Sequence, residues 1–154
     1  MNQLSHWHQT FTAFKVETQA LMRQARDLAE DGFYEQALTI YEQASVIEPG
    51  NDLVWFYTGD ALANLGRFSQ ALNSFDQALE LNPNHSPTWT FRAVVLIHLE
   101  QYSEALASCD RAIAINPDDS EAWLFQGVAL QRLGKYKQAY ASFKRATQQL
   151  KTPD

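Results

Sequence analysis

Residues 52–85 read DLVWFYTGDALANLGRFSQALNSFDQALELNPNH, and residues 86–119 read SPTWTFRAVVLIHLEQYSEALASCDRAIAINPDD. Pro83 and Pro117 stand 34 residues apart near the ends of these blocks, and Pro49 precedes Pro83 by the same distance. A fixed period of this size marks a repeat architecture. It divides the chain into units 18–51, 52–85, 86–119 and 120–153.

The columns of the four units agree. Leu21, Trp55, Trp89 and Trp123 share one position, and four residues on stand Ala25, Gly59, Ala93 and Gly127. Leu28, Leu62, Leu96 and Leu130 follow, then Gly32, Gly66, Glu100 and Gly134, then the aromatics Tyr34, Phe68, Tyr102 and Tyr136. The second half of each unit repeats Ala37, Ala71, Ala105 and Ala139, then Tyr41, Phe75, Cys109 and Phe143, then Ala44, Ala78, Ala112 and Ala146.

Within each half these positions fall three, four and seven apart, which is one stripe of an α-helix. A glycine-containing turn separates the halves, and glycine readily takes the left-handed conformation that ends a helix. Asn-Pro or Glu-Pro closes the second half. Ser86-Pro87 reads as an N-cap followed by proline at the first helical position. Each unit is therefore expected to be a helix hairpin, with small residues allowing close approach and aromatics filling the gaps between hairpins.

The pattern resembles the tetratricopeptide repeat: W-x2-L-G-x2-Y, then A-x3-F-x2-A, then P. The third unit departs most, with Ala93, Glu100 and Cys109 at consensus positions, and the first has Leu21 in place of an aromatic. The resemblance implies an all-α fold, a right-handed superhelical solenoid of antiparallel helix hairpins. It also implies that the first helix of each hairpin lines a concave groove. One row of that groove maps onto Met22, Phe56, Thr90 and Leu124, with Arg23, Tyr57, Phe91 and Phe125 beside it. A second row is Arg26, Asp60, Val94 and Val128, and a third is Glu30, Asn64, His98 and Arg132.

Family members that grip acidic C-termini of chaperones use Lys, Arg and Asn on these rows. Here Arg23 and Arg26 are followed by Tyr57, Asp60, Phe91 and Val94, so a carboxylate-clamp co-chaperone is the lesser reading. An apolar, aromatic groove suits a helix or extended peptide with apolar anchors. The expected function is a protein–protein interaction module, an adaptor, scaffold or assembly factor. The alternative is a structural protein that self-associates through its N-terminal helix or C-terminal edge, either way a monomer or weak homodimer.

The two ends differ from the units between them. Residues 1–17 carry Leu4, Trp7, Phe11 and Phe14 at helical spacing, an amphipathic helical extension. Three placements follow: a cap on the first unit, a segment lying in the groove of its own or a second chain, or a disordered tail. In the fourth unit Thr147 and Gln149 replace apolar residues of earlier units, as expected if no fifth repeat packs there. An apolar edge is expected to persist around Tyr140 and Phe143.

Composition narrows the partners. The net charge of -6 leaves no basic footprint for nucleic acid or an anionic membrane. The longest strongly apolar run, Ala93–Ile97, is far below the ~20 residues of a membrane span. A single cysteine permits no internal disulfide. Together with an N-terminus unlike a secretory signal, these features make a cytoplasmic location the expectation. His6 and His8 point about 200° apart on a helix and do not share a metal easily. His85 falls in a turn and His98 near a helix end, and no cysteine pair offers zinc ligands. Phosphate loops and hydrolase motifs are absent, so neither cofactor, metal nor enzymatic activity is expected.

Overall fold

A hairpin whose halves touch through alanine and glycine brings its helices closer than larger side chains would allow, and that spacing governs this fold. The structure, a computed structural model, describes residues 3–149. Among the described residues there are eight helices: α1 (Gln3–Glu30), α2 (Tyr34–Ile47), α3 (Asp52–Asn64), α4 (Phe68–Leu81), α5 (Ser86–His98), α6 (Tyr102–Ile115), α7 (Ser120–Arg132) and α8 (Tyr136–Gln149). They pair as α1–α2, α3–α4, α5–α6 and α7–α8, and each pair packs on the next.

Gly32, Gly66 and Gly134 end the first helices with φ of 84°, 73° and 77°. Glu100 holds the same position in the third hairpin at φ 60°, the one positive-φ residue other than glycine among the described residues. A side chain there is disfavoured by its Cβ.

The close approach inside each hairpin is visible at Gly59 and Gly127. A Cβ on Gly59 would lie 2.7 Å from the Phe75 ring, and one on Gly127 would lie 2.5 Å from the Phe143 ring. Phe75 is fully buried, as are Tyr41 and Cys109 in the same column. Where the column residue is Cys109, the first-helix residue is Ala93 instead of glycine; the first unit also carries alanine, Ala25, with Tyr41, so glycine accompanies phenylalanine in particular. The Cys109 thiol is pushed up to about 12, by burial first and then by Asp110 and Asp119, so it stays protonated at neutral pH.

A polar ladder runs within hairpins and from each to the next. Arg92 donates from Nε to Asp76 on α4 at 2.7 Å, and from its terminal nitrogen to Ser108 on α6 at 2.7 Å. One unit later, Gln126 donates to Asp110 at 2.7 Å and accepts from Ser142 at 2.7 Å. The tryptophans fasten the connecting loops. Trp55, Trp89 and Trp123 donate their indole N–H to the carbonyls of Pro49, Pro83 and Pro117 at 3.1, 2.8 and 2.8 Å.

Two sequence expectations need correction. Ser86 does not cap α5; it is buried inside the helix's first turn and donates to the Ala112 carbonyl at 3.2 Å, while the capping position is His85. The N-terminal segment neither caps the first unit nor folds into its own groove. It runs without a break into the first helix of that unit, a single α1 of 28 residues, about 42 Å long against about 21 Å for α2. Thr18 and Ala25 are buried, whereas Leu4 and Trp7 on the same stripe remain 79% and 72% exposed. The physical reason is the absence of a stop signal: Lys15 stands where later units place proline.

Candidate functional site

Successive first helices touch one another, α1 with α3, α3 with α5, and α5 with α7, whereas among the described residues successive second helices do not. The first helices therefore line the inner, concave side of the array and the second helices the outer side.

The rows expected along this face separate on inspection. Phe56 is only 9% exposed, enclosed by Tyr57, Phe75, His85 and Phe91, whose ring centroids lie 5.0 to 6.1 Å away. Thr90 is 2% exposed and donates to Asp119 Oδ2 at 2.8 Å. Both are packing residues with little or nothing to offer a ligand, contrary to expectation. Their helix side is covered because the next hairpin and its loop close over it. Met22 is partly buried, and Leu124 is exposed.

The remaining positions stay accessible. Arg23, Arg26, Asn64, His98 and Arg132 are exposed, and Tyr57, Asp60, Phe91, Val94, Phe125 and Val128 are half-buried. His98 stacks on Phe68 at 4.4 Å, and the Arg132 guanidinium lies 6.0 Å from the Tyr102 ring centre, so the outer row also joins neighbouring units.

Two depressions meet at the α1–α3 boundary. One, of about 410 Å³, includes Thr18, Met22, Arg23, Arg26, Leu53 and Tyr57 in its wall. The other, of about 300 Å³, includes Arg26, Tyr34, Tyr41, Tyr57, Asp60 and Asn64. Arg26 and Tyr57 belong to both. The Arg26 guanidinium sits 5.4 Å from the Tyr57 ring centre, a cation–π contact, and Tyr57 stacks on Tyr41 at 6.1 Å. No ion pair engages Arg26 among the described residues.

Asp60 lies in the second depression with a raised pKa. Burial disfavours its charge, and the Asn64 amide, donating at 3.3 Å, only partly opposes this. Burial, and then Asp60, also pushes the Tyr41 phenol upward, so it is a neutral hydroxyl. The site thus offers the cations Arg23 and Arg26, the half-buried carboxylate of Asp60 with Asp27 and Glu30 exposed at its walls, and three phenol rings, beside the half-buried apolar side chains of α5 and α7. That chemistry grips and orients; among the described residues no cluster of three or more His, Cys, Asp or Glu is placed to hold a metal. Likewise no described helix is long and apolar enough to cross a membrane.

Tyr34 and Tyr41 stand in the sequence only as column aromatics, and their place in the second depression is not legible there. The one available signal is Arg26, which is charged where the third and fourth units carry Val94 and Val128.

A solenoid of hairpins with an open inner face defines the class of superhelical repeat scaffolds. The chain belongs to the tetratricopeptide repeat family: models described as Tetratricopeptide repeat match residues 62–129, 96–153 and 22–86. A comparison with curated proteins gives no match. Solved structures that share the fold include a crystal structure of MamA, with TM-score 0.81 and 17% identity over 93% of this chain and 84% of that one. MamA 41-end from Desulfovibrio magneticus RS-1 gives TM-score 0.80 and 25% identity, covering 86% of this chain and 75% of that one. YrrB, described as a TPR protein with an unusual peptide-binding site, gives TM-score 0.74 and 25% identity over 84% of this chain and 66% of that one.

Proposed function

We propose that this chain is a protein-binding scaffold that holds a partner's peptide or helix along its concave face. The guest lays apolar side chains on Phe91, Val94, Phe125 and Val128, and places a polar or acidic group at Arg26. The observation that carries the reading is the shared wall of the two depressions, where Arg26 lies over Tyr57 with no ion-pair partner among the described residues. Arginine and aromatic residues in partly desolvated pockets are the types that dominate binding energy at interfaces. The likeness to YrrB, described by its peptide-binding site, supports a peptide as the class of guest.

Selection of displayed peptides on the full chain tests this. Recovered peptides are expected to combine apolar anchors with a carboxylate toward one end. Val94→Asp with Val128→Asp is expected to weaken them at least ~10-fold, and Arg26→Ala by a similar factor, because a buried anchor and a charged hydrogen bond are each worth ~1.5–3 kcal/mol. Unchanged affinity in both variants, with unaltered helicity, overturns the concave-face reading.

A further inference from the structure

The two ends of the array differ from the internal interfaces in a matched way. In α4 and α6 the counterparts of Tyr140 are Leu72 and Leu106, half-buried against the cluster around Leu96 and Ala129. In α8 that position is Tyr140, 72% exposed, and the column of Phe68 and Tyr102 is Tyr136, 70% exposed. On the opposite end, the column of buried Ala61, Val95 and Ala129 is Asp27 in α1, and the column of His98 and Arg132 is Glu30. Both Asp27 and Glu30 are exposed, and no ion pair engages them among the described residues.

Charge divides the same way. α8 carries Lys137, Lys144 and Arg145 with no carboxylate. Residues 17–35 carry Glu17, Asp27, Glu30, Asp31 and Glu35 against Arg23 and Arg26.

Internal contacts supply the register. Phe68 stacks on His98 and Tyr102 lies under Arg132, each 30 residues on. Asp76 meets Arg92 and Asp110 meets Gln126, each 16 residues on. Carrying these offsets past α8 and back by four periods sets Tyr136 against Glu30 and Lys144 against Gln24. The spacing from Leu106 to Ala129 likewise sets Tyr140 against Asp27. At both aromatic positions α8 carries tyrosine, whose hydroxyl can donate to a facing carboxylate where phenylalanine or leucine could not.

We propose that α8 of one copy docks on α1 of a second copy, continuing the solenoid from chain to chain. The contact is heterologous: each copy uses a different face on each side, so association is open-ended and builds linear oligomers, not a closed dimer. Tyrosine–carboxylate hydrogen bonds replace the apolar pairs of the internal interfaces, and the opposite overall charges of the two faces add longer-range attraction, so the contact is reversible and weakens as salt rises.

Sedimentation velocity of the full chain over a concentration series tests it. Wild type is expected to grow in mass with concentration at low salt, with the association constant falling at least ~5-fold at about 0.5 M salt, where charges are screened beyond a few ångströms. Tyr136→Glu/Tyr140→Glu and Asp27→Lys/Glu30→Lys are each expected to be monomeric, because each loses one face. Mixed, these two should regain open-ended growth, because the intact faces pair and the substituted faces set glutamates against lysines. Tyr136→Ser/Tyr140→Ser and Asp27→Asn/Glu30→Gln, whose substituted faces carry no complementary charge, should each be monomeric alone and form a 1:1 pair and nothing larger when mixed, since one intact face remains on each. A wild type that stays monomeric at low salt overturns the proposal, as does a dimer that persists in either variant. An oligomerising wild type whose two variants fail to pair overturns it too.

Discussion

Replacing Gly59 by alanine tests the close approach of α3 and α4. The new methyl would lie 2.7 and 2.8 Å from two carbons of the Phe75 ring. Carbon pairs rest at about 3.5–4.0 Å, so roughly 1 Å must be found by moving α3, α4 or the ring. Phe75 is fully buried and packed near Phe56 and Phe91, which leaves it nowhere to turn. Overpacking of this size costs about 1–3 kcal/mol. The gain in helix propensity from glycine to alanine returns about 1 kcal/mol, so a net loss of up to about 2 kcal/mol is expected.

The sign should depend on the partner. Phe75→Cys alone is expected to cost about 3 kcal/mol or more through the cavity it opens. In that background Gly59→Ala should stabilise by about 1 kcal/mol, since the ring is gone and only propensity remains. The pair would then match Ala93 and Cys109 one unit on. Urea unfolding of the four proteins, followed by circular dichroism, measures the cycle. Equal effects of Gly59→Ala in both backgrounds, or a stabilisation in wild type, would refute the reasoning. Gly127→Ala is a control: its methyl would approach Phe143 at 2.5 Å, but that ring is partly exposed on α8 and can yield, so a smaller penalty is expected despite the shorter distance.

Three further outcomes are expected. Glu100→Gly should raise stability by up to about 1 kcal/mol, the left-handed strain relieved less the added chain entropy; a lower melting temperature would contradict the turn assigned there. Asp60→Asn should be more stable than wild type at neutral pH. Burial raises the folded carboxyl pKa, so the charged form carries a cost that is full above that raised value and gone below the unfolded value. The difference between the two melting temperatures should therefore close as pH falls through the carboxylate range, and a constant difference would sink the assignment. Leu4→Ser with Trp7→Ser should change stability by less than about 0.5 kcal/mol, as expected for exposed side chains; a loss above about 1 kcal/mol would mean that the segment covers the core.

The 34-residue spacing of three prolines carried most of the fold, because each proline stops a helix and each hairpin must bury the same stripe. The indole-to-carbonyl bonds were latent in that spacing too, since each tryptophan follows its proline by six residues. Less legible was which neighbour of a helix stripe ends up inside. Phe56 and Tyr57 are adjacent in sequence, but the loop bearing His85 closes over the first and leaves the second half open. That distinction depends on how hairpins cross, which column alignment does not encode. The fate of residues 3–17 was similarly hidden. Their amphipathic pattern resembles a packed helix, and only the missing break at Lys15 separates a projecting helix from a folded-back one.

The most direct test of the concave face is an amide chemical-shift map of the labelled chain titrated with a peptide selected on it. Perturbations centred on Arg26, Tyr57, Val94 and Val128, on four successive first helices, are the expected result. Perturbations confined to α2, α4 and α6 would contradict the placement of the binding surface.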